Sequence, residues 1–436
     1  IAKGLFNDQF DFFFTGSFET PQRVQLSLFA SMLREYSGKE VPELSDWFEA
    51  FAQLQRYLSS VDKSRVVIFL DELPWMNTPK SNFLAAFTFF WNSWASARRG
   101  LKLIVCGSAT TWMIDKIIGD KGGLYGRCSR TINLAPFCLG EVEEYLTRHK
   151  RVAWNRYLLL EVYMVMGGIP YYLDMLDGRL PFRQNVDELF FAQGAPLRTE
   201  YDFLFRSLFR SSGIYRQVVE AIAQREGGMP LKELKEALKL KDSGTLSQVL
   251  DNLCKCDFLR RYQAFGKKER GMVYQLIDLF SLFHLQFVQR HGTIDPHFWS
   301  NQKETAHSNW AGKAFEQVCL HHVEQIRKKL GISGVLTSAS TWRIAKQTDQ
   351  DGAVWPRAQI DLVLSRADHL IDLFEMKYCE ADFVVTEAYE RKLRERMATF
   401  VHFTRTRDAV RNVLVTTYGL RPGLHASIFH ATVSMD

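Results

Sequence analysis

Three short apolar runs organise the first part of the chain: "FDFFFTG" at 10–16, "VVIFLDELPWM" at 66–76 and "LKLIVCGSA" at 101–109. Each is a handful of consecutive β-forming apolar side chains that stops at small or charged residues, which predicts strands buried on both faces. Helical stretches lie between them, and strand alternating with helix predicts a parallel sheet. In such sheets ligands gather beyond the carboxyl ends of the strands, where Gly16, Asp71, Glu72 and Ser108 all fall. From 141 to 205 the periodicity is helical, in "EVEEYLTRHK" and "RYLLLEVYMVM", with an interruption at "GGIPYYL". From 206 the texture changes to three short helical patterns, "IYRQVVEAIAQREG", "PLKELKEALKL" and "SGTLSQVLDNLCKC", followed by a hairpin pattern, "FLRRYQAFGKKERGMVYQLI". An apolar helix, "DLFSLFHLQFVQRHG", and a break near "TIDPHFWSNQ" lead to one amphipathic helix, "WAGKAFEQVCLHHVEQIRKKLG". Beyond it, "AQIDLVLSR" and "HLIDLFEMKYCE" predict two adjacent strands, antiparallel across a turn at 366–369.

Composition narrows this only a little. The 436 residues are 46% hydrophobic and 24% charged, which fits a globular chain with several separate cores. A net charge of +6 is mildly basic and suggests, without requiring, an anionic partner. Seven scattered cysteines, with Cys254 and Cys256 the only close pair, give no zinc-site spacing and fit reduced thiols in a cytoplasm. No apolar run approaches the roughly 18 residues of a membrane span and no signal-peptide pattern opens the chain, so a soluble protein without a membrane partner is expected. His321 and His322 are adjacent, so on a helix they diverge by about 100° and do not share a metal.

Two carboxylates at the end of a buried strand have two readings. Asp71 and Glu72 either cap the helix that follows or do nucleotide chemistry, one acid holding Mg²⁺ and the other orienting the attacking water. The segments "VVIFLDELPWM", "IVCGSATTWM", "GRCSRTINLAPFCLGE" and "GGIPYYL", in that order, resemble the prokaryotic AAA-type ATPases of the STAND group. That resemblance implies a P-loop NTPase core that binds ATP. It makes Asp71 the Mg²⁺-holding acid of the Walker B strand, Glu72 the water-polarising acid and Ser108 the polar sensor. Arg127 or Arg130 becomes the phosphate-sensing cation, and Pro170 the turn of the helical lid that lies against the base. It also implies a homo-oligomer, since relatives often form rings. The chain departs from the pattern in one respect: no G-x-x-x-x-G-K-[ST] phosphate loop occurs in it. In relatives that loop precedes a strand like "FDFFFTG", so it is expected just before residue 1, which is Ile rather than Met. Without the loop's N–H groups and lysine, the chain as given is expected to bind ATP weakly.

Helix, helix, helix, hairpin is the order of a winged helix, whose third helix would be the recognition helix and whose wing tip would be Gly266-Lys267-Lys268. Residues 206–270 hold fourteen Lys or Arg against eight Asp or Glu. That local excess points to DNA phosphates as partners of Arg260, Arg261, Lys267, Lys268 and Arg270. Many modules of this shape serve protein contacts instead. The third helix offers only Gln248 and Asn252 as base-reading side chains, so sequence specificity is expected to be weak.

In the last segment Asp361 and Glu375 stand inside apolar strands, a costly place for an unpartnered carboxylate. Lys377 follows Glu375 by two and shares its face. Glu316, Asp361, Glu375 and Lys377 spell E…D-x₁₃-E-x-K and resemble the PD-(D/E)XK nucleases; the tail is similar to the restriction-endonuclease-like domain that relatives of this ATPase group carry. By that likeness the three acids hold Mg²⁺ and Lys377 activates water or steadies the phosphorane, with Tyr378, Lys392 and Arg396 near the DNA backbone. The other reading of the same residues is a Glu375–Lys377 salt bridge with Asp361 capping a turn. The expected architecture is therefore a multidomain α/β protein. Residues 1–140 form an ATPase core without its Walker A loop, 141–205 a helical lid, 206–295 a winged helix and 296–436 a nuclease-like domain. The expected function is that of an ATP-binding AAA-type ATPase coupled to DNA binding and metal-dependent DNA cleavage. A regulator that does not cleave, using a nucleotide switch and an inactive nuclease fold to bind DNA or protein, is the alternative.

Overall fold

The computed structural model describes residues 2–108, 110–119, 123–209, 211–225, 227–239, 243–267, 272–290, 295–348 and 352–435. The chain divides into two compact units, Ile1–Asn133 with Arg206–Arg210, and Leu134–Phe205 with Ser211–Asp436.

The first unit is built on β1 (Phe12–Thr15), α1 (Gln22–Ser37), α2 (Trp47–Ser59), β2 (Val66–Asp71), α3 (Phe83–Ser93) and β3 (Leu101–Val105). The strands form a parallel sheet in the order β1-β2-β3, with Phe12 opposite Ile68 and Val66 opposite Leu101. Five of the six β2 residues are buried and only Asp71 emerges, so the apolar run ends where the sheet's core ends. Asp46 starts α2 by accepting the Glu49 N–H at 2.9 Å, which turns Trp47 and Phe51 inward. Trp47 meets Phe83 edge to face at 4.9 Å, and Phe51 stacks on Phe90 at 5.1 Å. Full burial of each such ring contributes about 2–3 kcal/mol.

The second unit begins with helices, among them α4 (Arg156–Met166), capped by Asn155, and α5 (Pro170–Asp174). Gly168 lies so close to the Phe137 carbonyl that an added Cβ would sit 1.9 Å from its oxygen, and the Phe137 N–H donates to Gly168 O at 2.7 Å. Next come α6 (Ser212–Ala223), α7 (Leu231–Leu238) and α8 (Ser243–Lys255). An antiparallel hairpin of β4 (Leu259–Gln263) and β5 (Met272–Leu276) follows, joined by the two-residue strand Met229–Pro230. Pro230 stands at the N-cap of α7, as the sequence predicts.

The remaining elements are α9 (Glu304–His321), α10 (Val323–Lys329), β6 (Thr337–Ile344), β7 (Ala358–Arg366), β8 (Leu370–Lys377), α11 (Glu387–Thr404), β9 (Ala409–Thr416) and β10 (Phe429–Val433). Their sheet runs β10-β9-β8-β7-β6. β7 pairs antiparallel with both β6 and β8, whereas β8, β9 and β10 are parallel, and α11 makes the crossover that the parallel β8–β9 pair requires. Phe400 of α11 is fully buried beneath this sheet with Trp342, Ile371 and Leu373. The helix predicted as one piece over 310–331 is instead two. It breaks at His322, whose Nε2 accepts the Leu139 N–H at 2.9 Å while Nδ1–H donates to Val318 O at 2.7 Å. Burial shifts this ring toward the neutral form those two bonds require.

Candidate functional site

The carboxyl edge of the first sheet gathers Thr15, Gly16, Asp71, Glu72, Cys106 and Ser108. Gly16 N–H donates to Asp71 O at 2.9 Å, and a Cβ on Gly16 would lie 2.6 Å from the Glu72 carbonyl, so only glycine lets the two strand ends close up. Asp71 accepts from the Thr15 hydroxyl at 3.5 Å and from the Cys106 thiol. Burial, then Asp71 itself, pushes the Cys106 thiol up to about 12. Glu72 adopts left-handed backbone at φ 48°, a strained conformation for a non-glycine residue. Its carboxylate accepts the Ser108 N–H at 3.0 Å and the Ser108 hydroxyl at 2.9 Å. Asp71, Glu72 and Ser108 are thus within one hydrogen-bonded group. Its geometry departs from simple helix capping: Glu72 holds the N-cap position of the short helix Leu73–Met76 but makes no side-chain cap bond.

Arg127 and Arg130 stand on exposed, irregular chain. Pro170 belongs to the second unit, at the first position of α5 after the Gly167-Gly168 approach to Phe137. A residue that periodicity did not single out is Gln25. Fully buried on α1, it accepts the Ser17 N–H at 3.1 Å and donates to Ser17 O at 2.7 Å and Trp75 O at 3.1 Å. One amide therefore ties the loop after β1 to the segment after β2. A lone amide among the apolar positions Leu26, Phe29 and Leu33 was the signal that could have found it.

The five basic residues predicted to meet DNA separate. Arg261 and Lys267 are exposed. Arg260 points inward, because a strand's period of two sets it and Tyr262 on the face opposite Arg261. Its Nε and Nη2 donate to Gln275 Oε1 at 2.9 and 2.6 Å, and its guanidinium lies 4.8 Å from the Tyr262 ring centre. Burial pulls the Arg260 guanidinium down to about 10. Lys268 and Arg270 lie outside the described residues.

In the last sheet, Asp361 sits where the register of β7 against β6 shifts, between Ile360 and Val363. Continuing the β7–β8 pairing of Val363 with Leu373 by two residues brings Asp361 opposite Glu375. Glu375 is buried, and Lys377 Nζ lies 2.9 Å and Arg396 Nη1 2.6 Å from its oxygens, while the Tyr389 hydroxyl donates to it. Burial alone would raise this carboxyl; Arg396 first, then Lys377, overcome that and hold it at about 2. Burial pushes Asp361 the other way, upward, although Gln359 donates to it at 2.7 Å. Glu316 is half-buried on α9, and among the described residues no three His, Cys, Asp or Glu gather as a metal-holding group. Tyr378 turns inward rather than toward solvent: its hydroxyl donates to Glu161 at 3.3 Å and its ring stacks on Tyr157 at 5.2 Å. Glu161 also faces His307 at 3.2 Å. Lys392 is exposed.

Among the described residues no helix is long and apolar enough to cross a membrane. No family model matches the chain. It is similar to the uncharacterized protein MJECL04 of Methanocaldococcus jannaschii, 27% identical over 304 residues. The match covers 68% of this chain, and the chain spans 64% of that relative's length. Among solved structures it is similar to the Walker-type ATPase of Pyrococcus abyssi, at 16% identity and a TM-score of 0.45, over 66% of this chain and 87% of that one. It is also similar to the ORC2 protein of Aeropyrum pernix in its ADPNP and ADP complexes, at 13% identity and a TM-score of 0.39, over 66% and 81%. At these scores the chain's own topology, rather than its neighbours, defines the fold.

Proposed function

We propose that the chain is an ATPase-type protein that acts on DNA. The observation that carries this reading is the Asp71–Glu72 pair at the carboxyl end of the middle strand, with Glu72 held in strained backbone by Ser108. The site residues suit a nucleotide-bound Mg²⁺: a half-exposed carboxylate and a hydroxyl, Asp71 and Thr15, at a sheet edge that Gly16 keeps clear of side chain. In this reading Asp71 holds the ion, which would neutralise phosphate charge, and Glu72 orients the attacking water against Ser108. Arg127 or Arg130 serves as the phosphate-sensing cation and Pro170 as the lid turn. Because the sequence lacks a G-x-x-x-x-G-K-[ST] loop, ATP affinity is expected to be weak. The deciding quantity is therefore the turnover ratio: Glu72→Gln should lower Mg²⁺-dependent ATP hydrolysis about a hundredfold, and equal turnover would remove Glu72 from the chemistry.

Residues 206–295 act in this proposal as a winged helix, with exposed Arg261 and Lys267 as its phosphate contacts. Anisotropy of a labelled duplex should show binding that weakens with salt, and Arg261→Glu with Lys267→Glu should flatten the salt slope by about two. An unchanged slope would assign the module to protein contacts.

A second reading, DNA cleavage by residues 296–436 with Glu316, Asp361 and Glu375 on Mg²⁺, is favoured by one observation: the register that sets Asp361 beside Glu375 and Lys377. In the conformation described, these residues do not fit a resident divalent ion, since Lys377 and Arg396 already occupy the Glu375 carboxylate. The proposed resting form is therefore a DNA-binding one. Metal-dependent nicking of supercoiled DNA that disappears in both Glu375→Ala and Lys377→Ala would establish cleavage. Binding without product would establish the regulator.

A further inference from the structure

The misfit between the acids and a cation, set on Glu375 by Lys377 and Arg396, has a second source outside the nuclease-like segment. A small, partly enclosed cavity is lined by Arg260, Tyr262 and Gln275 from the hairpin and by Arg343, Gln359 and Asp361 from the sheet. Its free volume is about 10 Å³, no more than one water and too little for a hydrated divalent ion. The guanidinium inside it is fixed on two sides, by the fork to Gln275 and by the Tyr262 ring, and Tyr262 is fixed in turn by its hydroxyl bond to Gly227 O. On the facing wall Gln359 fixes Asp361. The hairpin is held against this sheet by backbone and by apolar contact. Phe265 N–H donates to Thr341 O at 2.8 Å, and the Phe265 ring lies 4.9 Å from that of Phe400. The two acids, Asp361 and Glu375, thus face Lys377 and Arg396 from their own segment and Arg260 from the hairpin, with Arg343 also lining the cavity.

We propose that Arg260 is an intramolecular lock on the Asp361–Glu375 pair: the docked hairpin fills with a guanidinium the space and charge that a divalent cation would take, and undocking it opens the site. This rests on the second reading above, that these acids form a cation site. The lock makes cation access depend on the position of the hairpin, so the segment that would touch DNA also controls the segment that would cut it.

The test is titration of the full 436-residue chain with Mn²⁺, reading free ion by its paramagnetic resonance signal. Arg260→Gln should gain one ion with at least about tenfold higher affinity than the parent, and the gain should vanish in Arg260→Gln/Asp361→Asn. Arg260→Lys keeps the charge and should stay closed. Phe265→Ser, which loosens the hairpin without altering any charge, should open the site like Arg260→Gln and serves if that variant misfolds. If the parent already binds an ion that Asp361→Asn removes, the lock is wrong and the cation site stands. If no variant binds an ion that depends on Asp361, the lock and the cation site fall together.

Discussion

Replacing Glu375 with Gln should loosen the centre of the C-terminal sheet. The carboxylate is buried between Lys377 and Arg396 and held at about 2 against an ordinary value of 4.5. That depression corresponds to about 3 kcal/mol of stabilisation at neutral pH. The amide of Glu375→Gln would keep the volume but leave two cations close together without their counter-charge, a loss in the same range, about 3–5 kcal/mol. The sign follows from the direction of the shift. Because the folded value lies below the unfolded one, the stabilisation is complete above about pH 5 and is lost as pH falls toward 2, with about 2 kcal/mol gone by pH 3. Hydrogen exchange of the peptide spanning Leu370–Lys377 reads this locally, without assuming that the two units unfold together. At pH 7 the variant's β8 amides should exchange faster than the parent's by a factor between about a hundred and a few thousand. Between pH 5 and 3 the parent should lose most of that advantage once intrinsic exchange is corrected for. Equal protection in the two proteins at pH 7 would refute the claim that the ion cluster holds β8 in place.

Three further outcomes are expected. Gln25→Leu leaves the Ser17 N–H, Ser17 O and Trp75 O without their shared partner and should cost about 2–4 kcal/mol, seen as lost protection in the loop after β1 with α2 unaffected. Gly168→Ala puts a methyl 1.9 Å from the Phe137 carbonyl oxygen and should break the Phe137–Gly168 bond, lowering the melting temperature by several degrees or driving the chain into inclusion bodies. Cys106, its thiol pushed up to about 12 by burial and by Asp71, should resist iodoacetamide at pH 8 in the folded chain and react after urea denaturation, as mass spectrometry of its peptide would report.

The strands of the first sheet were legible because each is a short apolar run that stops at small or charged residues; in β2 burial stops at Asp71 for the same reason that the pattern does. The antiparallel β7–β8 pair was legible from its turn. What was not legible depends on partners distant in sequence. Nothing in "FLRRYQAF" says which of Arg260 and Arg261 faces inward, because both faces of that strand carry polar residues and the choice is made by β6 and β7. The break at His322 interrupts a pattern that stays helical through it, and it is fixed by a backbone N–H from Leu139. The cations on Glu375 were half legible: Lys377 by spacing on one strand, Arg396 only once α11 is laid across the sheet. Four sequence segments were expected; by its contacts the chain divides instead into two compact units, the second holding Leu134–Phe205 and Ser211–Asp436.

The inward turn of Tyr378 bears on how the protein can be dissected. Its hydroxyl and ring are completed by Glu161 and Tyr157 of α4, so a fragment cut at residue 296 would carry the E-x-K strand but expose an aromatic ring and orphan a phenol beside it. Such a fragment would be prone to self-association, and an inactive one would say little about the chain it came from. A shorter expression target that respects this contact starts before Arg156 and runs to the end of the chain.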